Sequence, residues 1–104
     1  MFIKIIMNDN KIYTIEDLYF ENKLTDIIDL LNLIEKTNYK YTDIIYLELK
    51  NCSNIRCIPK SFKNLQIIKI FNCKYIKNIP KFKNLKQIEF IKPKIFKVNH
   101  KLIK

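Results

Sequence analysis

Residues 44–64 read Ile44-Ile-Tyr-Leu47-Glu-Leu49-Lys-Asn-Cys52-Ser-Asn-Ile55-Arg-Cys-Ile58-Pro59-Lys-Ser-Phe62-Lys-Asn64. Residues 65–84 nearly repeat them, as Leu65-Gln-Ile-Ile68-Lys-Ile70-Phe-Asn-Cys73-Lys-Tyr-Ile76-Lys-Asn-Ile79-Pro80-Lys-Phe82-Lys-Asn84. A third start, Leu85-Lys-Gln-Ile88-Glu-Phe90, leaves the pattern at Pro93. The starts at 44, 65 and 85 lie 21 and 20 residues apart. At that period each unit is one supersecondary element, too small to bury its own apolar edge, so neighbouring units must stack. Each unit opens with a short apolar–polar alternation that predicts a strand, followed by a Cys turn and an irregular return ending near Ile-Pro.

The pattern resembles the leucine-rich repeat, LxxLxLxx(N/C)xxLxxIP, with Ile in place of many leucines. The resemblance covers residues 44–91 and implies one short parallel strand per unit. Cys52 and Cys73 fall on the N/C position, whose side chain in that family is buried and bonded to backbone groups of the turn. Pro93 stands where a third Cys is due, so the array is altered or ends there. The resemblance thus implies an α/β fold, a short leucine-rich-repeat solenoid with parallel strands and an N-terminal β-hairpin plus helix cap. It is one domain over 1–104, with 1–43 as hairpin–helix cap or helical first repeat, 44–92 as repeats and 93–104 as C-terminal cap or tail.

The first 43 residues are less regular. Phe2-Ile-Lys-Ile-Ile6 and Lys11-Ile-Tyr-Thr-Ile15 alternate around Met7-Asn-Asp-Asn10, which predicts a hairpin. Ile15, Leu18 and Phe20 continue the strand register into a longer first unit of 29 residues. Its return, Thr25 to Lys36, spaces Ile27, Ile28, Leu30, Leu31 and Ile34 as a helix with Thr25 as N-cap. The alternative is a separate ββα module, similar to ubiquitin-like folds, packed on the array. The tail, Ile95-Phe-Lys-Val98 with Leu102 and Ile103, has apolar residues enough to cover the last strand; left uncovered, that edge would pair with another chain.

Composition narrows the function classes. Ile, Lys and Asn fill 21, 19 and 12 of the 104 positions, the bias an AT-rich coding sequence produces, which discounts the net charge of +10 as a signal. These Ile/Lys/Asn-rich repeats are similar to those of amoeba-infecting giant viruses, which would imply a virion or host-interaction protein. Without Gly, the Gly-rich phosphate loops of nucleotide enzymes are excluded. Neither a signal peptide nor an apolar stretch of about 18 residues is present, so an intracellular protein without membrane contact is expected. Three cysteines without a CxxC pair suggest neither a disulfide framework nor a zinc knuckle, and the Asn51-Cys-Ser53 triplet carries no weight without a secretory route.

Candidates for catalysis are few. His100 is the only histidine and, near the terminus, reads as solvated. Cys57, beside Arg56, reads as a packed thiol, and Asp26 with Asp29 as a solvated helix face. No enzyme, cofactor or metal is expected. The x positions of LxxLxLxx form columns that should face outward: Asp17, Tyr46, Ile67 and Gln87; Tyr19, Glu48, Lys69 and Glu89; Glu21, Lys50, Phe71 and Ile91. Tyr46, Ile67, Lys69, Phe71 and Ile91 are therefore the candidate partner-binding residues, with Tyr46 and Phe71 as hot spots. Lys69 between Glu48 and Glu89 reads as a cross-strand charge ladder.

Charge divides along the chain, with a net of −3 over residues 1–43 and +13 over 44–104. Lys60, Lys63, Lys74, Lys77, Lys81 and Lys83 recur on the return segments as a lysine-rich strip. The expected function is a non-catalytic protein–protein interaction or assembly module, a second copy of the chain being one candidate partner. The alternative is a basic nucleic-acid-associated protein that binds phosphates through the strip, although specific base readers favour Arg and only Arg56 is present.

Overall fold

Alternation at the amino end builds β1 (Phe2–Met7), in which Ile3, Ile5 and Met7 are buried while Phe2, Lys4 and Ile6 turn the other way. In a computed structural model, which describes residues 1–16 and 23–93, β2 (Ile12–Glu16) returns antiparallel to β1, from Phe2↔Glu16 to Ile6↔Ile12. The turn needs a left-handed residue, and Asn10 supplies it at φ 66°. A chain of phenols and a carboxylate holds this hairpin to the segment after the helix. Tyr13 and Tyr39 share a hydroxyl hydrogen bond of 3.1 Å, and the Tyr39 hydroxyl donates to Asp9 at 2.7 Å.

The helix α1 (Leu24–Glu35) buries Leu24, Ile27, Ile28 and Leu31. Its apolar stripe is narrower than the spacing suggests, because Ile34 is 66% exposed. Thr25 is not the cap: Lys23 precedes the first turn, without a side-chain capping bond. The helix ends at Glu35, and Asn32 in its last turn secures that end. The Asn32 backbone carbonyl accepts from Lys36 and Thr37, its Oδ1 accepts from the Thr37 hydroxyl and the Tyr39 N–H, and its Nδ2 donates to the Tyr39 carbonyl. A 3₁₀ turn at Tyr41–Asp43, whose Asp43 carboxylate accepts from the Lys40 N–H at 2.8 Å, then delivers the chain to β3 (Ile44–Lys50).

β3, β4 (Ile67–Phe71) and β5 (Gln87–Ile91) are parallel and in register, Leu47↔Ile68↔Ile88 and Leu49↔Ile70↔Phe90. β1 pairs antiparallel with the other edge of β3, with a bulge between Ile6 and Met7, which gives the sheet order β2-β1-β3-β4-β5. One sheet face packs on α1 and on the crossovers. Ile55, Ile58, Phe62 and Leu65 of the first crossover are each at most 2% exposed, while Ile79, Phe82 and Leu85 of the second are half-buried.

The solenoid expected from the repeats is not formed. Among the described residues, five strands make one mixed sheet that does not curl, beside a single α-helix. The neighbour of β3 is an antiparallel hairpin strand rather than a further parallel unit, so the uniform winding a solenoid requires is broken after two crossovers. The proposed first-repeat positions Leu18 and Phe20, and the covering tail from Ile95 onward, lie outside the described residues.

Asn51 and Asn72 end β3 and β4 at φ 54° each, and Asn72 Nδ2 donates to Asn51 Oδ1 at 2.7 Å. An Asn72→Ala chain should be less stable than Asn72→Gly by ~1 kcal/mol in urea unfolding, since both lose the amide bond but only Ala strains the left-handed backbone. Leu47→Ala, which empties the centre of the core, should cost about 2–5 kcal/mol in the same assay.

Candidate functional site: the open sheet face

Because side chains alternate along strands, the residues between the core positions stand on the second sheet face, away from α1. Register places them in three rows. The first is Ile12, Ile6, Tyr46, Ile67 and Gln87; the second is Thr14, Lys4, Glu48, Lys69 and Glu89; the third is Glu16, Phe2, Lys50, Phe71 and Ile91. The five candidate residues Tyr46, Ile67, Lys69, Phe71 and Ile91 therefore share one face, together with Phe2, Lys4 and Ile6 of β1, which were not foreseen. Alternation in β1 marked those three as outward-facing, but nothing in the sequence said that β1 lies beside β3.

The charges on this face are interleaved with rings. Lys4 and Lys69 each place an ammonium over the Tyr46 ring, at 5.6 and 5.9 Å, and Lys50 lies 5.5 Å from both the Phe2 and the Phe71 rings. Glu48 is the one buried charged residue among those described. It accepts a hydrogen bond from the Tyr46 hydroxyl and pairs with Lys50 at 3.6 Å. The expected ladder is thus half-built: Lys69 pairs with Glu89 at 4.0 Å, and Glu48 turns to Tyr46 and Lys50. Burial, with donation to Glu48, holds the Tyr46 phenol protonated above its ordinary pKa of 10.0.

The lysine strip is divided. Lys60, Lys63, Lys81 and Lys83 line one groove of about 760 Å³, with Asn64, Pro80, Phe82 and Asn84. Lys74 and Lys77 line a separate pocket of about 300 Å³ with Ile76, Lys92 and Pro93. The thiols also separate. Cys52 and Cys73 are buried, with Cys52 Sγ donating to the carbonyls of Lys50 and Phe2 at 3.5 and 3.6 Å, and Cys73 Sγ to that of Phe71 at 3.5 Å. The neighbouring Cys73 thiol, then burial, raise the Cys52 pKa above its ordinary value. Cys57 is exposed rather than packed, because its place before Ile58 turns it outward.

Asp26 and Asp29 are both exposed, and Asp29 accepts from the Tyr41 hydroxyl at 2.8 Å. Among the described residues no three His, Cys, Asp or Glu side chains are grouped to hold a metal. None of their helices is long and apolar enough to cross a membrane. His100, Asp17, Tyr19 and Glu21 lie outside the described residues.

Two measurements check this geometry. A folded-state pKa above the unfolded one favours the folded state fully below pH 10, and that contribution fades as pH rises through the folded value. The 295 nm titration difference between wild type and Tyr46→Phe should therefore have its midpoint above pH 10 in the folded protein and near 10 in urea. With Ellman's reagent the folded protein should show one fast thiol, abolished by Cys57→Ser, and release the other two only on unfolding.

No protein-family model, curated protein or solved structure matches this chain.

Proposed function

We propose that the protein is a non-catalytic binding module whose open sheet face docks a protein partner. The observation that supports this is the composition of that face: three aromatic rings, Phe2, Tyr46 and Phe71, stand with Ile6, Ile67 and Ile91 on a surface that α1 leaves uncovered. Aromatic groups held by flanking lysines lose little side-chain freedom on binding, which is the character of interface anchors. The lysines and carboxylates between them neutralise one another, so the face attracts a partner by shape and apolar contact more than by net charge.

The test is an affinity titration of a partner captured on wild-type protein. Tyr46→Ala and Phe71→Ala should each weaken binding at least tenfold, while Leu33→Ser, on the exposed side of α1, should leave it within about twofold. Binding should persist between 100 and 500 mM salt. Equal losses for Tyr46→Ala, Phe71→Ala and Leu33→Ser would overturn this reading, as would a hundredfold loss in salt.

A further inference from the structure

Some described cations are engaged by neighbours and others are not, and of the latter four gather in one groove. On the sheet face Lys4, Lys50 and Lys69 are each engaged by a ring, a carboxylate or both. On the crossovers, Arg56 and Lys74 stack on Tyr75. Lys60, Lys63, Lys81 and Lys83 have no ion pair and no ring contact among the described residues, and no acidic side chain lines the groove they share.

The repeat spacing brings these charges to one groove. Lys60 and Lys81 hold equivalent places on successive crossovers, 21 residues apart, as do Lys63 and Lys83, 20 apart, so like charge is set beside like charge. The middle row of the sheet meets the same geometry by alternating sign, with Glu48, Lys69 and Glu89 in line. At the groove the sign does not alternate.

The frame beneath these lysines is fixed. Asn64 Nδ2 donates to the Thr42 carbonyl at 2.9 Å, and Asn84 Nδ2 donates to Asn64 Oδ1 at 3.3 Å, tying the two crossovers together. Tight turns close at Phe62 N–H to the Pro59 carbonyl, 3.1 Å, and at Leu85 N–H to the Phe82 carbonyl, 3.3 Å. Phe62 beneath them is fully buried. Four lysines thus line one groove together with Pro80 and Phe82, on crossovers tied by these bonds.

We propose that this groove binds a chain of phosphates. Ammonium groups act as point charges that suit phosphate oxygens without demanding one planar orientation, and four of them in a groove of about 760 Å³ suit several linked phosphates better than a single ion. The chemistry is that of a phosphodiester or polyphosphate backbone. It is independent of the sheet-face reading, since it uses other residues on another part of the surface.

The test is fluorescence anisotropy with labelled oligo(dT) of 20 nucleotides, with inorganic polyphosphate and polyglutamate as competitors. Wild-type affinity should fall roughly a hundredfold from 100 to 500 mM salt, as four phosphate contacts on a single strand require. Lys60→Gln, Lys63→Gln, Lys81→Gln and Lys83→Gln together should abolish most of the binding and most of the salt slope. A control quartet, Lys11→Gln, Lys23→Gln, Lys74→Gln and Lys77→Gln, removes the same charge elsewhere and should stay within about threefold of wild type. Unchanged thermal melting of both quartets excludes misfolding as the cause, and single groove substitutions give graded losses if the quartet is unstable. Competition by polyphosphate equal to that by unlabelled oligo(dT) assigns the site to phosphate alone, and weaker competition assigns it to nucleic acid. Equal losses for both quartets, equal competition by polyglutamate, or no binding at 100 mM salt would overturn the proposal.

Discussion

The parallel register of β3, β4 and β5 is the constraint on which the rest of the structure depends. It sets each residue beside the one 20 or 21 positions further on, so every choice of side chain is made two or three times over. Apolar residues at the inward positions become columns, Leu47 over Ile68 over Ile88, and the crossovers add Ile55 over Ile76 and Phe62 over Phe82. Identical amides become ladders, as in Asn72 on Asn51 and Asn84 on Asn64. An ionised side chain repeated in this way is a problem, and it is solved differently in two places. On the sheet the sign alternates, and on the crossovers it does not.

The lack of Gly shapes how the turns are made. The turns after β3 and β4 each use one residue with positive φ, and Asn51 and Asn72 fill that role. Asn tolerates the left-handed region because its short amide can bond locally, and here the amides also bond to each other across the turn. The same residue that relieves backbone strain therefore ties successive turns together. The Cys that follows each Asn caps the strand from inside through its carbonyl contacts, so Asn-Cys acts as a two-residue strand terminator.

Much of the parallel region was legible, because the near-repeat from Ile44 to Asn84 names both the strand positions and their partners. The outward column Tyr46, Ile67 and Gln87 followed from the x positions of the LxxLxLxx pattern that the repeat resembles. Architecture was not legible to the same degree. Whether repeated strands wind into a solenoid depends on what lies beside the first of them, and that neighbour is β1, over 40 residues earlier in the chain. Alternation in Phe2-Ile-Lys-Ile-Ile6 reveals a strand but not its partner, and a strand with two free edges can pair either way. Spacing places the end of α1 within one residue of Glu35, but the contacts that fix it, Asn32 with Thr37 and Tyr39, are ones that periodicity does not register.

Burial declines along the sheet in a way that explains where exposed apolar surface collects. Ile5, Leu47 and Ile68 are buried in line on successive strands, whereas Ile88, the next in that row on β5, is 51% exposed. The crossovers follow the same course, from buried Phe62 and Leu65 to half-buried Phe82 and Leu85. Each layer is covered by the one after it, so among the described residues the last layer has the least cover. Phe82, on the last crossover among the described residues, is half-buried and lines the lysine groove. Ile91 stands open beside Phe71 for the same reason. The thin cover over the last described layer supplies apolar surface to both candidate sites, and the charges around them decide what each surface can receive.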